Sequence, residues 1–175
     1  ATRNTPEYLW KPGLEMWGRQ EFDVDPMTNG DSTVPATVKY TKADDGLSMP
    51  WVIEGKPITF LFANPDYGLN KEFVAKLEAE LATGKLEALV LNKHDHRSGW
   101  CKWLINHCTA MVLIDHGVKF EGVDSNGDPL EGSFFPSTIF YFGSLSQRFY
   151  DSHQHLGTVV VRYDQPRPDQ SEPTF

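Results

Sequence analysis

The chain of 175 residues is poor in cysteine and in positive charge, and it lacks any long apolar run. Its two cysteines, Cys101 and Cys108, lie seven positions apart in a stretch with helical patterning. About two helical turns would separate the thiols, so no disulfide is expected between them, and the scarcity of cysteine fits a reducing, cytoplasmic setting. Sixteen Lys and Arg stand against 24 Asp and Glu, a net charge of −8. That argues against a basic, sequence-independent nucleic-acid coat, which draws its affinity from Lys and Arg. No apolar run approaches the roughly 20 residues that span a bilayer and no signal-peptide pattern opens the chain, so a soluble protein with no membrane partner is expected. There is no Cys-x-x-Cys, no His-Glu-x-x-His, no G-x-x-x-x-G-K-[ST] phosphate loop and no G-x-S-x-G elbow. Zinc-site, nucleotide-phosphate and serine-nucleophile chemistry therefore have no sequence support.

What the chain has is aromatic weight (five Trp, six Tyr, eleven Phe) and a strand–helix rhythm. Thr5-Pro6-Glu7 reads as a helix start, with Pro12-Gly13 expected to break or kink that helix. Phe22-Asp23-Val24 and Val38-Lys39-Tyr40 read as short strands separated by a polar loop over 28–32. Thr59–Ala63 reads as a strand, Lys71–Thr83 as a helix stopped by Gly84, and Leu86–Leu91 as a buried strand. A helix marked by Trp100, Trp103, Leu104 and Cys108 follows, then a strand over Ala110–Ile114. This alternation implies an α/β fold with a parallel sheet. Three strand-like runs come next, at Val118–Phe120, Thr138–Phe142 and Thr158–Arg162. One domain over residues 1–163 is expected, with 164–175 a loose acidic, Pro-rich tail.

In an open α/β sheet, ligands bind outside the carboxyl ends of the strands. Three polar clusters fall at expected strand ends: Asp25-Pro26 with the loop to Gly30, Asp44-Asp45-Gly46, and Asn64-Pro65-Asp66-Tyr67-Gly68. The third can receive a planar amine. The Asn64 side-chain oxygen and the carbonyl of Pro65 accept its two hydrogens while the Tyr67 ring stacks on the attached base, which turns the nitrogen lone pair toward an electrophile without a strong base. The plainer reading of the same residues is a strand-to-helix turn, since Asn-Pro and Gly are common turn formers.

The order of these elements resembles the small phage-type DNA adenine methyltransferases. Asn4-Thr5-Pro6 is similar to that family's opening Thr-Pro element. Glu21 to Pro26 is similar to its Phe-Asp-Leu-Asp segment, and Tyr40 to Leu47, closed by Trp51, to its acidic stretch. Phe62-Ala63-Asn64-Pro65-Asp66-Tyr67-Gly68 resembles its catalytic Asn-Pro-Pro-Tyr, with Asp66 where the family has a second Pro. Trp100, Val118-Lys119-Phe120 and Phe135-Pro136-Ser137 follow in order, so the resemblance covers roughly residues 4–142.

The resemblance implies a Rossmann-like methyltransferase fold, a mixed sheet with helices on both faces. It further implies S-adenosyl-L-methionine as donor and the exocyclic amine of adenine in DNA as acceptor, with the target base flipped from the duplex. Asn64, Pro65, Asp66 and Tyr67 would form the catalytic motif. Thr5, Pro6, Asp23, Asp25 and Gly30 would border the cofactor, and Asp45 or Asp44 would meet its adenosine. A phage origin would place the protein in the cytoplasm of a bacterial host, as monomer or homodimer. The alternatives are a catalytically inactive relative that binds a protein partner, and a methyltransferase acting on a small molecule.

His94-Asp95-His96, with His107, His116 and the cysteines, is read as loop or pocket histidines rather than a metal site. His153-x-His155 is read as facing solvent, and the Lys93–Lys102 segment as a candidate DNA contact. The polar loop Asp124–Gly132 is too acidic to read DNA.

Overall fold

A computed structural model describes residues 3–132 and 135–163. The expected tail over 164–175 lies outside the described residues. The fold is α/β, built on one seven-stranded mixed sheet. In chain order the elements are α1 (Glu7–Trp17), β1 (Phe22–Asp25), β2 (Ala36–Lys39), β3 (Thr59–Ala63), α2 (Asn70–Leu81) and β4 (Leu86–Lys93), then α3 (Gly99–His107), β5 (Ala110–Ile114), β6 (Ser137–Phe142), α4 (Ser146–His153) and β7 (Gly157–Val161). The strand order is β2-β1-β3-β4-β6-β5-β7. Strands β1 to β4 are mutually parallel, whereas β6 enters antiparallel between β4 and β5, and β7 pairs antiparallel to β5.

The period-2 alternation of strands buried on both faces divides the core in two. Phe62, Leu89, Leu91, Ile139 and Tyr141 pack against α1 and α4 through residues such as Leu9, Trp17 and Phe149. Leu61, Ala88, Val90, Phe140 and Phe142 pack against α2 and α3 through Phe73, Leu77, Cys101 and Leu104.

Three expectations change. Helix α1 runs unbroken through Pro12. The proline removes one backbone donor, and Gly13 lets the helix press onto the sheet: a Cβ there would stand 2.5 Å from Leu89 Cδ1. Residues 118–120 form no strand; their neighbour Glu121 pairs instead in an isolated bridge with Asn4. His153 is fully buried, stacked on Phe149 at 4.3 Å, because it falls on the inner face of α4 rather than the solvent face.

Candidate functional site

Strand order reverses around β1: the chain leaves it toward β2 on one side and returns to β3 on the other. The crevice outside the carboxyl ends of β1 and β3 is thus a topological switch point, where open α/β sheets bind ligands. A cavity of about 530 Å³ opens there, between Pro26–Asn29, Thr41–Leu47 and Asn64–Tyr67. That volume suits one ligand of nucleoside to dinucleotide size. The crossover from β1 to β2 is a loop with no helix, and its first residues, Pro26–Asn29, line the cavity.

Each wall has a local cause. The N-terminal segment is strapped across one side: Asn4 and Glu121 exchange backbone hydrogen bonds of 2.6 and 2.9 Å, and Asn29 Nδ2 donates to Asn4 Oδ1 and to Arg3 O. This places the Thr5 hydroxyl beside the end of β3, where Asn64 Nδ2 donates to it at 3.1 Å. The amide is thereby oriented, and none of the described residues donates to Asn64 Oδ1, which stays available as an acceptor. Pro65 and Tyr67 continue the cavity wall, with the Tyr67 ring edge-on to Phe135 at 5.3 Å. Burial raises the Tyr67 pKa and the nearby Arg3 opposes that shift, so the ring is a neutral phenol at physiological pH.

Asp66 has a structural use. Its carboxylate accepts the Gly68 N–H at 3.0 Å and caps a one-turn 3-10 helix over Tyr67–Leu69, and its φ of −62° is the value a proline would impose. The turn keeps its shape by a hydrogen bond where a ring would fix it.

The opposite wall depends on Gly46. A Cβ there would meet Pro26 O at 1.7 Å, so the 3-10 segment over 42–48 lies directly against the end of β1 only because this residue is glycine. The buried Trp51 indole donates to Gly46 O at 2.9 Å and holds it. Asp45, at φ 53°, is the one non-glycine residue with positive φ among those described, and it lines the cavity; Asp44 instead accepts from Thr41 N–H and hydroxyl.

Neither a protein-family model nor any curated protein matches this chain.

The structure brings Asn64, Pro65, Asp66, Tyr67 and Asp45 to one cavity, with Thr5 touching it through Asn64. Asp25 does not line the cavity but directly precedes Pro26, which does; its carboxylate accepts the Met27 N–H at 3.2 Å, and burial lifts its pKa to about 7 against the pull of that bond and of Lys39. Asp23 belongs elsewhere. It is fully buried on β1 and clamps Arg19 at 2.6 Å, Lys56 at 2.7 Å and the Phe60 N–H at 2.8 Å, so its oxygens face structural partners. Gly30 and Pro6 do not line the cavity; Pro6 starts α1.

Sequence reading missed Arg3 and Leu69 as cavity residues. Each adjoins a residue that was named, and adjacency to a strand-end cluster was the available signal. Among the described residues no group of three or more His, Cys, Asp and Glu is placed to hold a metal ion. Both cysteines are buried free thiols.

Proposed function

We propose that this protein transfers a methyl group from S-adenosylmethionine to the exocyclic amine of adenine in DNA, on a Rossmann-like methyltransferase scaffold. The observation that carries the reading is the Asn64-Pro65-Asp66-Tyr67 turn at the mouth of the switch-point cavity, with the Asn64 amide oriented by Thr5. The residues present fit the cofactor: Asp45 offers a carboxylate for ribose hydroxyls, Met27 and Leu47 offer apolar surface, and the volume admits a nucleoside with an amino-acid arm. When bound, the cofactor supplies an electrophilic methyl group on sulfur.

The chain's own part is positioning. Asn64 Oδ1 and the Pro65 carbonyl accept the two amine hydrogens, Tyr67 stacks on the base, and the nitrogen lone pair is left aimed at the methyl carbon. The sulfonium would give up its methyl group and leave as a thioether, and the surplus amine proton would pass to solvent at the open mouth. No residue needs to be a strong base: of the two ionisable groups in the Asn64–Tyr67 turn, Asp66 is tied to the turn and Tyr67 is a neutral phenol.

Methyl incorporation from labelled cofactor into unmodified DNA tests this. Wild-type protein should label adenine, and Asn64→Ala should lose at least about 100-fold in rate, the scale of removing one oriented polar group from a transition state. Equal background from both proteins would reject the reading. The net charge of −8 favours a second one, a methyltransferase-like binder of a protein partner; a chain that gives no heat with S-adenosylmethionine in calorimetry would support it.

A further inference from the structure

The two edges of the sheet differ in kind. Edge β2 is four residues long, is preceded by Pro35 and ends in Lys39, devices that discourage another strand from adding. Edge β7, Gly157-Thr158-Val159-Val160-Val161, has neither proline nor charge. Its inner side is satisfied by β5. The Arg162 N–H donates to Thr109 O at 2.9 Å and the Asp115 N–H to Leu156 O at 3.1 Å, with Ala110 opposite Val161 and Val112 opposite Val159 between them. In this register Thr158, Val160 and Arg162 turn their backbone groups toward β5. Val159 and Val161 therefore turn their N–H and C=O outward, Gly157 its C=O, and Tyr163 continues the same row. The Gly157 N–H is already used by Gln154 O. No backbone group among the described residues bonds to Val159 or Val161 on that side.

Apolar side chains along this edge are uncovered as well: Val160 is 41% exposed, Val161 46% and Tyr163 80%.

We propose that β7 is a homodimer seam, in which two copies pair antiparallel about Val160 and merge their sheets. The register follows from symmetry. With Val160 facing Val160 of the second copy across the two-fold axis, Val159 meets Val161 and Gly157 meets Tyr163, so each outward N–H of residues 159, 161 and 163 finds a carbonyl. All three exposed apolar side chains enter the seam, and no like charges face each other within the paired strands. The seam is smaller than the roughly 1,600 Å² of a standard interface, so the dimer is weak and concentration-dependent. The cavity lies at the other end of the strand order, beside β1 and β3, and antiparallel pairing points the two cavities in opposite directions. Each copy then works on its own ligand.

Sedimentation of the full chain between about 1 and 500 µM tests the seam, since interfaces below the standard size are weak. A monomer–dimer equilibrium is expected, and Val160→Lys, which sets two ammonium groups face to face, should weaken it at least ten-fold with unchanged far-UV circular dichroism. Val160→Cys should cross-link the dimer under mild oxidation, because facing Cβ atoms of such a pair stand at disulfide distance, whereas Val161→Cys should not. A chain that stays monomeric throughout, a dimer indifferent to Val160→Lys, or a Val160→Cys protein that never cross-links would overturn the proposal. None of these readouts depends on methyl transfer.

Discussion

Asp25 is the carboxyl most at odds with its surroundings. It ends β1 next to the cavity-lining Pro26, almost wholly buried, and burial outweighs the Met27 N–H and Lys39 to lift its pKa to about 7. A folded-state pKa above the unfolded value means that the folded chain holds this proton more tightly. Asp25 therefore favours the folded state at low pH, and that advantage is lost as pH rises from about 4 through about 7. His153 works in the opposite sense. Burial against Phe149 lowers its pKa to about 4, so its contribution is present above its unfolded pKa and is lost as pH falls toward 4. In the wild type the two slopes oppose each other across pH 4–6.5. Asp25→Asn keeps an acceptor for Met27 and removes the titration. The variant is expected to be more stable than wild type at pH 8, by roughly 1–3 kcal/mol at about 1.4 kcal/mol per pKa unit after discounting for relaxation. It should also lose stability on acidification from pH 6.5 to 4 more steeply than wild type. Urea melts at pH 8, 6.5 and 4 would show this, and parallel pH profiles for the two proteins would contradict it.

At the scale of elements, the cavity exists because the segment between β2 and β3 lies on the end of β1, and Gly46 is the contact. Gly46→Ala must push that segment off Pro26 O or distort it, breaking the Trp51 indole bond and moving Asp45. A loss of about 3 kcal/mol is expected from overpacking plus one buried hydrogen bond, read as a lower urea midpoint, together with weaker binding of any cavity ligand. A variant as stable as wild type would show that this contact is dispensable. Local chemistry made several elements legible in the sequence. Thr59–Ala63, Ala110–Ile114 and the helix stopped near Gly84 are set by apolar periodicity and turn residues, which act within a few positions. The Asn64–Gly68 turn was legible for the same reason. The insertion of β6 between β4 and β5 was not, because strand order is decided by pairings between residues far apart in sequence, such as Leu91 with Ile139. The clamp around Asp23 was illegible for the same reason: its partners Arg19, Lys56 and Phe60 come together only when three separate segments are packed.

The charge of the whole molecule bears on its proposed substrate through its placement. Much of the cationic charge away from the cavity is spent on structure: Arg19 and Lys56 hold Asp23, Lys76 pairs with Glu80, and Arg162 donates to the carbonyls of Cys108 and Ile105. Arg3 and Lys42 line the cavity, and Arg97 and Lys102 are exposed on and just after the loop leaving β4; among the described residues none of these four has an acidic partner within ion-pair distance. A duplex whose base enters the cavity would meet this group while the acidic remainder of the surface repels it, so association should rest on few phosphates and depend moderately on salt. Each phosphate neutralised contributes about 0.9 to the slope of log affinity against log salt concentration. The double variant Arg97→Gln/Lys102→Gln is therefore expected to reduce that slope by about 1 to 2 and to weaken binding evenly across DNA sequences, while leaving calorimetric binding of S-adenosylmethionine as in the wild type. Fluorescence anisotropy of a labelled duplex over a potassium chloride series measures both quantities. A wild-type slope near zero would remove DNA as the acceptor, and an unchanged slope in the variant would place the phosphate contacts on another face.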